Sequence, residues 1–162
     1  MRDIPGWLKH ATVWLVLGAC VFVAVRTIQQ RQQATRFVVV GGTLQIERGP
    51  DGHYHWPGSI NGRDVPFLID TGATGTAIPS ALAEELGLAA QGEVQSSTAG
   101  GVVSGVRVVA DLALQGGVRV DRLRIVALPG LEAPLLGMDV LGRLRWRQEG
   151  GVLRIELHPP GH

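Results

Sequence analysis

The sequence has a single cysteine, almost no net charge and no internal repeat. Cys20 is the only cysteine, so the region beyond it forms no disulfide, and cysteine usage does not distinguish a reducing from an oxidising compartment. Fifteen basic and 14 acidic residues give a formal net charge of +1, without the basic excess of a nucleic-acid-binding domain. We therefore expect no nucleic-acid partner and no duplicated half.

Glycine and proline are frequent, whereas charged residues are few. The 162 residues include 23 glycines and 9 prolines, and only 18% are charged. This composition indicates many turns and short strands. The length leaves room for one domain with an appendage.

An uncharged apolar run, residues 11–25, lies near the N-terminus between Lys9 and Arg26. As a helix it would be about 22 Å long, somewhat short of a hydrocarbon core of about 30 Å. Its flanking residues can supply the difference, because Lys9 and Arg26 can extend their charged ends to the interface. We predict an N-terminal membrane anchor over residues 1–28, a single transmembrane helix that contacts the lipid bilayer through residues 7–26.

Two other interpretations of this segment stay open. A cleaved signal peptide would need a small-x-small cleavage site, and no convincing one follows the apolar run. A lipoprotein signal is suggested by Leu17-Gly18-Ala19-Cys20, but residues 21–25 continue the apolar run where polar sequence usually follows a lipidated cysteine. Basic residues lie on both sides of the run, so charge alone does not fix its orientation.

Residues 29–42 are predicted as a linker and residues 43–158 as the folded domain. Alternating apolar residues and turn signals predict mainly strands, with Asn61-Gly62 as a two-residue hairpin turn. One helix is expected from Pro79-Ser80 to Gly87. Short strands at this spacing with one small helix predict a compact β-barrel or sandwich. The expected strands are residues 43–47, 53–60, 63–69, 102–109, 118–127 and 152–157.

The most informative motif is Asp70-Thr71-Gly72, which directly follows the apolar residues Phe67-Leu68-Ile69. A carboxylate at the end of a buried strand is costly to desolvate unless it is hydrogen-bonded, paired or used in chemistry. The Thr71 hydroxyl can hold a neighbouring loop, and Gly72 lets another backbone approach closely. A simpler interpretation is a turn carboxylate that caps local backbone amides.

A second motif, Leu135-Leu136-Gly137, is followed by a short helical stretch. Taken alone, it fits an ordinary core strand that ends in a turn. Together with the Asp70 segment, about 65 residues earlier, it resembles the retropepsin-like (retroviral-type, clan AA) aspartic proteases. The resemblance covers residues 43–157 and is strongest to the bacterial membrane-anchored branch of that family. It implies a mainly β fold, a single-domain closed β-barrel with one short helix, preceded by the transmembrane helix.

The resemblance also implies a homodimer, because each chain supplies one Asp70 where the chemistry needs two carboxylates. Two carboxylates at contact distance hold one proton between them. The ionised one takes a proton from water while the protonated one donates to the scissile carbonyl, so neither a metal nor another cofactor is required. The implied roles are catalysis by Asp70, support of the active-site loop and of substrate backbone by Thr71, Gly72 and Ala73, bracing by Leu135, Leu136 and Gly137, and a flap at Thr98, Ala99, Gly100 and Gly101.

One departure from the family concerns an ion pair near the active-site loop. Retroviral members often pair an aspartate four residues beyond the catalytic one with an arginine after the bracing glycine. The corresponding positions here are Thr74 and Met138. The inter-loop salt bridge is therefore absent.

For the remaining polar residues of note, the sequence favours a structural role over a catalytic or metal-binding one. His53 and His55 share one face of a predicted strand but lack a third metal ligand at useful spacing, which favours a surface strand over a metal site. Asp139 is expected near a helix N-terminus, where a negative charge is stabilising. The arginines of residues 143–147 alternate as on the solvated face of a strand.

These observations predict a membrane-anchored aspartic endopeptidase that acts on protein or peptide substrates as a homodimer. By resemblance to the bacterial relatives, it would lie in the inner membrane with a single span and a periplasmic catalytic domain. The alternative is a retropepsin-like peptide-binding or dimerisation module that is catalytically weak or inactive.

Overall fold

The computed structural model describes residues 37–98 and 100–157, together with Trp14, Leu15, Ala19 and Phe22. The chain divides into two compact units, Met1–Ala34 and Thr35–His162. In the first unit, the four described residues are helical and exposed. Most of the predicted anchor, including Cys20, lies outside the described residues. No helix within the described part of the chain is long and apolar enough to cross a membrane.

Eleven strands and two short helices make up the described part of the second unit. The strands are β1 (Phe37–Val40), β2 (Thr43–Glu47), β3 (His55–Ile60), β4 (Arg63–Ile69), β5 (Ala77–Pro79), β6 (Glu93–Thr98), β7 (Gly101–Leu114), β8 (Val118–Leu128), β9 (Leu135–Leu136), β10 (Arg145–Glu149) and β11 (Val152–Glu156). Helix α1 (Ser80–Glu85) follows β5, and helix α2 (Met138–Leu141) follows β9. The prediction of a mainly β domain with a short helix after Asp70 is confirmed.

The first sheet joins the two ends of the domain in the order β1-β2-β11-β10, with every pair antiparallel. Leu44 and Ile46 lie opposite Ile155 and Leu153, and all four side chains are buried. The apolar alternation in the sequence therefore marks the inner face of this sheet. Strand β1 lies within the range predicted as a linker. It forms because the Gly41-Gly42 turn, with φ of 56° and 77°, folds it back onto β2.

The second sheet has seven strands in the order β3-β4-β9-β5-β8-β7-β6. Strand β3 also pairs with β7, so six strands form a closed ring in the order β3, β4, β9, β5, β8 and β7. Strand β9 lies between β4 and β5, parallel to the first and antiparallel to the second. This order brings the end of β4, where Asp70 follows, beside β9 and the start of β5. Strand β6 extends from the ring as a hairpin with β7.

The hairpin turn between β3 and β4 has the predicted geometry. Asn61 and Gly62 both have positive φ, 48° and 82°, as a type I′ turn requires. The Asn61 side-chain oxygen also accepts a hydrogen bond from the Asp111 N–H at 2.9 Å. Asp111 lies where the register of β7 shifts against β8. Strand β7 passes through this irregularity and is therefore longer than predicted.

Tyr54 and Trp56 both belong to the core but differ in hydrogen bonding. Trp56 Nε1 donates to the Gln115 carbonyl at 2.8 Å. The Tyr54 hydroxyl is buried and has no hydrogen-bond partner within the described part of the chain, although the Arg48 guanidinium lies 5.3 Å from the centre of its ring. A buried hydroxyl without a partner loses its hydrogen bonds to water and gains none in return.

Replacing Tyr54 by Phe should leave the free energy of unfolding unchanged or raise it by about 1 kcal/mol, because only the unpaired hydroxyl is lost. Trp56→Phe is the matched control. It removes a satisfied donor and buried volume and should lower the free energy of unfolding by about 1–3 kcal/mol. Urea denaturation of both variants measures the difference. A loss of more than about 1 kcal/mol in Tyr54→Phe would contradict an unpaired hydroxyl.

Candidate active site

Asp70 directly follows β4 and is fixed by backbone contacts on both sides. Its N–H donates to the Leu136 carbonyl at 3.1 Å, and its own carbonyl accepts from the Ala73 N–H at 3.3 Å. The Gly72 N–H donates to Asp70 Oδ1 at 2.8 Å. The side chain is half-buried. One carboxylate oxygen is thus held by the loop's own backbone, which orients the group.

Strand β9 lies between β4 and β5 and supports the Asp70 loop that connects them. Leu136 pairs with Ile69 in register, while Leu135 lies opposite both Leu68 and Ala77. The predicted bracing residues are therefore adjacent to the loop. Leu136 and Gly137 are buried, whereas Leu135 is half-buried.

Gly137 is required by a close approach between two backbones. A Cβ atom added at this position would overlap the backbone of Gly75, with the Gly75 Cα only 2.9 Å away. The φ of Gly137 is −92°, which any residue can adopt. The glycine is therefore explained by space and not by conformation.

Thr76 and Asp139 join the active-site loop to helix α2. The Thr76 hydroxyl donates to Asp139 Oδ1 at 2.8 Å, and the Thr76 N–H donates to Asp139 Oδ2 at 3.0 Å. The same hydroxyl accepts from the Gly137 N–H at 3.3 Å. Thr76 is fully buried, so these bonds satisfy a polar group that would otherwise be costly to bury.

The sequence prediction placed Asp139 correctly in the first turn of a helix but did not identify its partner. The N-cap residue of helix α2 is Gly137, which has no side chain to cap the helix, and both Asp139 oxygens bind Thr76 instead. Thr76 was missed as a site-supporting residue. The sequence marks Thr76 only as a threonine at the apolar start of the strand that follows the active-site loop, which does not indicate a supporting role.

Two backbone hydrogen bonds lie at the positions where retroviral relatives often have an ion pair. The Met138 N–H donates to the Ala73 carbonyl at 2.8 Å, and the Asp139 N–H donates to the Thr74 carbonyl at 3.1 Å. The loop and the helix are thus joined without a charge at position 74 or 138.

A cavity of about 660 Å³ opens beside Asp70. One wall consists of residues 95–98 of β6, and another of apolar side chains. Asp70 is the only ionisable side chain among the described residues that line it. The apolar wall is formed by Val126, Leu128, Leu131 and Leu135.

The predicted site residues differ in how they relate to this cavity. Gly72, Ala73 and Leu135 line it with Asp70, whereas Thr71 is exposed beside it. Their catalytic and binding roles stay predictions.

The predicted flap lies at the turn of the β6–β7 hairpin. Thr98 lines the cavity, and its hydroxyl donates to the Gly101 carbonyl at 2.8 Å. Gly101 has a φ of 113°, which favours glycine. Ala99 lies outside the described residues. Gln95 and Ser96 also line the cavity, although the prediction did not include them.

His53 and His55 contact a carboxylate and do not gather a metal-binding set. His55 Nε2 lies 2.6 Å from Asp51 Oδ2, and the His53 N–H donates to Asp51 Oδ1 at 3.1 Å. Burial alone would raise the pKa of Asp51, but these two hydrogen bonds hold it below its usual value. Within the described residues, no three His, Cys, Asp or Glu side chains are close enough to hold a metal ion.

Comparison with known protein families gives a direct assignment. Residues 56–140 match the sequence model described as aspartyl protease. The chain belongs to the aspartyl protease family. The matched residues of this aspartyl protease include the Asp70 loop, the β6–β7 hairpin and the bracing motif.

One solved structure shows the same fold. A retropepsin-like aspartic protease from Rickettsia conorii is similar to this aspartyl protease with a TM-score of 0.57 and 22% identity, over 74% of this chain and 94% of that one. EIAV protease in complex with the inhibitor HBY-793 has a TM-score of 0.49 and 18% identity, over 65% and 93%. A search of curated proteins finds no match. The first likeness confirms the predicted retropepsin-like fold, while the membrane-anchored branch stays a prediction.

Replacing Gly137 by Ala should lower the free energy of unfolding by about 3 kcal/mol, because the added methyl group forces two backbones apart. Gly75→Ala is the matched control on the other side of the same contact. Its Cβ would meet only Asp139 Oδ2 at 3.9 Å, so the change should cost less than about 1 kcal/mol. Urea denaturation gives both values. Equal losses in the two variants would contradict the close approach as the reason for Gly137.

Proposed function

We propose that this aspartyl protease is a membrane-anchored endopeptidase that acts as a homodimer and hydrolyses protein or peptide substrates. One observation supports this most directly: Asp70 is the only ionisable side chain among the described residues that line the cavity. Water activation by an aspartic protease needs a base and an acid at the same time. One chain supplies one carboxylate, and a second copy supplies the other.

In the proposed dimer, the two Asp70 carboxylates share one proton. Like charges at contact distance cannot both ionise comfortably, so the pKa values belong to the pair. The ionised carboxylate takes a proton from water as the water attacks the scissile carbonyl. The protonated carboxylate donates its proton to the carbonyl oxygen. The product is a tetrahedral intermediate, whose collapse expels the amine after it has been protonated by the dyad.

The surroundings of Asp70 support these steps. The Gly72 N–H bond to Oδ1 keeps one oxygen oriented within the loop, which leaves Oδ2 for the water or the partner carboxylate. The apolar wall of the cavity suits the side chains next to the scissile bond. The β6–β7 hairpin, with Thr98, Gly100 and Gly101 at its turn, is the proposed flap that closes over the peptide and excludes water.

We further propose the location that the sequence suggests. Residues 1–28 would anchor the chain in the bacterial inner membrane through residues 7–26, with the domain in the periplasm. Thr71, exposed beside Asp70, would meet its counterpart in the other copy. The membrane anchor, the periplasmic location and the Thr71 contact are parts of the same proposal as the dimer.

Asp70→Asn should reduce hydrolysis of an unstructured protein at mildly acid pH by at least about 100-fold, because the amide removes the proton-transfer group from both chains of the dimer. Asp64→Asn is the control, since Asp64 is an exposed residue of β4, the strand that precedes Asp70. It should retain full activity. Gel analysis of the cleaved protein measures both. Equal activity of Asp70→Asn and wild type would refute the proposed peptidase mechanism, and no activity of wild type would favour the peptide-binding alternative.

Mixing wild type with the Asp70→Asn variant tests whether two chains share one site. Random exchange of subunits at equal amounts leaves about one quarter of the dimers with two Asp70 carboxylates. If each chain acted alone, about one half of the activity per total chain would remain. The initial hydrolysis rate of the mixture, at constant total protein and after time for exchange, separates the two cases. A rate of one half would contradict the shared site.

A further inference from the structure

Three arginine side chains lie next to the Asp70 cavity, and we call them the arginine patch: Arg107, Arg124 and Arg143. Val126, which lines the cavity, pairs directly with Arg107 in the β7–β8 register. Residues opposite each other in an antiparallel pair project from the same face. Arg124 lies two residues before Val126 on β8, so it shares that face about 6.6 Å along the strand.

A second concavity lies beside Arg124, two residues along β8 from Val126 of the Asp70 cavity. It has a volume of about 410 Å³, and its lining includes Arg124, Arg143 and Asp139. Asp139 Oδ2 lies 3.9 Å from the position of a Cβ on Gly75, and Gly75 lines the Asp70 cavity. Asp139 and Gly75, one residue from the lining of each concavity, are therefore neighbours where the active-site loop contacts helix α2.

The guanidinium groups of the patch are free to bind an anion. All three arginines are exposed. Within residues 37–98 and 100–157, none of them has an ion-pair or side-chain hydrogen-bond partner. The nearby Asp139 carboxylate already accepts two hydrogen bonds from Thr76, and Asp121 is the other acid of the concavity.

We propose that the arginine patch is an outer substrate subsite that selects an acidic side chain of the peptide. This proposal rests on the proposed peptidase function. An extended peptide advances about 3.3 Å per residue, and we assign the acidic side chain to a residue two to four positions from the scissile bond. The two-fold symmetry of a homodimer repeats the patch at the other end of the cleft. The preferred substrate then carries Glu or Asp on both sides of an apolar centre.

Proximity to the Asp70 cavity favours a peptide over a lipid headgroup as the ligand. Arg107 and Arg124 share a strand face with Val126, whose side chain contributes to the wall beside the catalytic acid. A second basic stretch, on β10, belongs to the other sheet and is separate from the cavity. Its Arg147 is exposed and provides a matched control for general surface charge.

The test measures binding, so that it does not depend on turnover. Full-length protein carrying Asp70→Asn is titrated against two dye-labelled peptides with the same apolar centre, one with Glu and one with Gln three residues to either side. Fluorescence anisotropy at low salt should give about three- to tenfold tighter binding of the Glu peptide. The preference should shrink as salt is added. The double change Arg107→Gln and Arg124→Gln should reduce it to less than about twofold, whereas Arg147→Gln should preserve it.

Several results would overturn the proposal. They are equal affinity for the two peptides, no binding of either, or a preference that survives the double change. Loss of binding to anionic phospholipid vesicles in the double variant, with peptide preference unchanged, would assign the patch to a membrane surface instead. Thermal unfolding of each variant checks that it is folded.

Hydrolysis of the Gln peptide by wild type reports separately on the proposed function. A cleaved Gln peptide without a Glu preference would refute only the subsite. A Glu preference without cleavage of either peptide would refute only the peptidase.

Discussion

The contact between Gly137 and Gly75 is the constraint on which the site depends. The two backbones can approach this closely only because Gly137 has no side chain, since a Cβ there would overlap the backbone of Gly75. At this distance, the Gly137 N–H reaches the Thr76 hydroxyl, and Thr76 reaches both oxygens of Asp139. The Met138 and Asp139 N–H groups then donate hydrogen bonds to the carbonyl oxygens of Ala73 and Thr74. The loop after Asp70 is thereby held as part of the core, although its outer side is exposed.

Local signals in the sequence predicted the elements that depend on neighbouring residues. Asn61-Gly62 requires positive φ at both positions and so predicted a hairpin. Gly87 ends α1 with a φ of 64° while the Leu88 N–H donates to the Ala83 carbonyl, as a helix-terminating glycine does. The alternation in β2 and β11 reflects one buried face. In each case, the determining interaction lies within a few residues or within one strand.

The parts that were not predicted depend on partners far away in the chain. The bond between Thr76 and Asp139 spans 63 residues, and no local pattern distinguishes Thr76 from any other threonine at the start of a strand. Strand β6 has few apolar residues and is stabilised mainly by pairing with β7. For the Asp70 loop and the bracing motif, a family resemblance supplied the long-range information. It identified which two segments meet, but not the side chain that joins them.

In the proposed peptidase, the distribution of charge around the cleft would separate catalysis by Asp70 from recognition of the substrate by the arginine patch. Asp70 is the only ionisable group on the described cavity wall, and apolar neighbours strengthen each electrostatic interaction there because they exclude water. An arginine on that wall would stabilise the ionised carboxylate and oppose the shared proton that the proposed dyad needs. At the exposed end of the cleft, solvent and salt screen the guanidinium groups. Arginines placed there can attract an acidic substrate while leaving the protonation of the dyad largely unchanged.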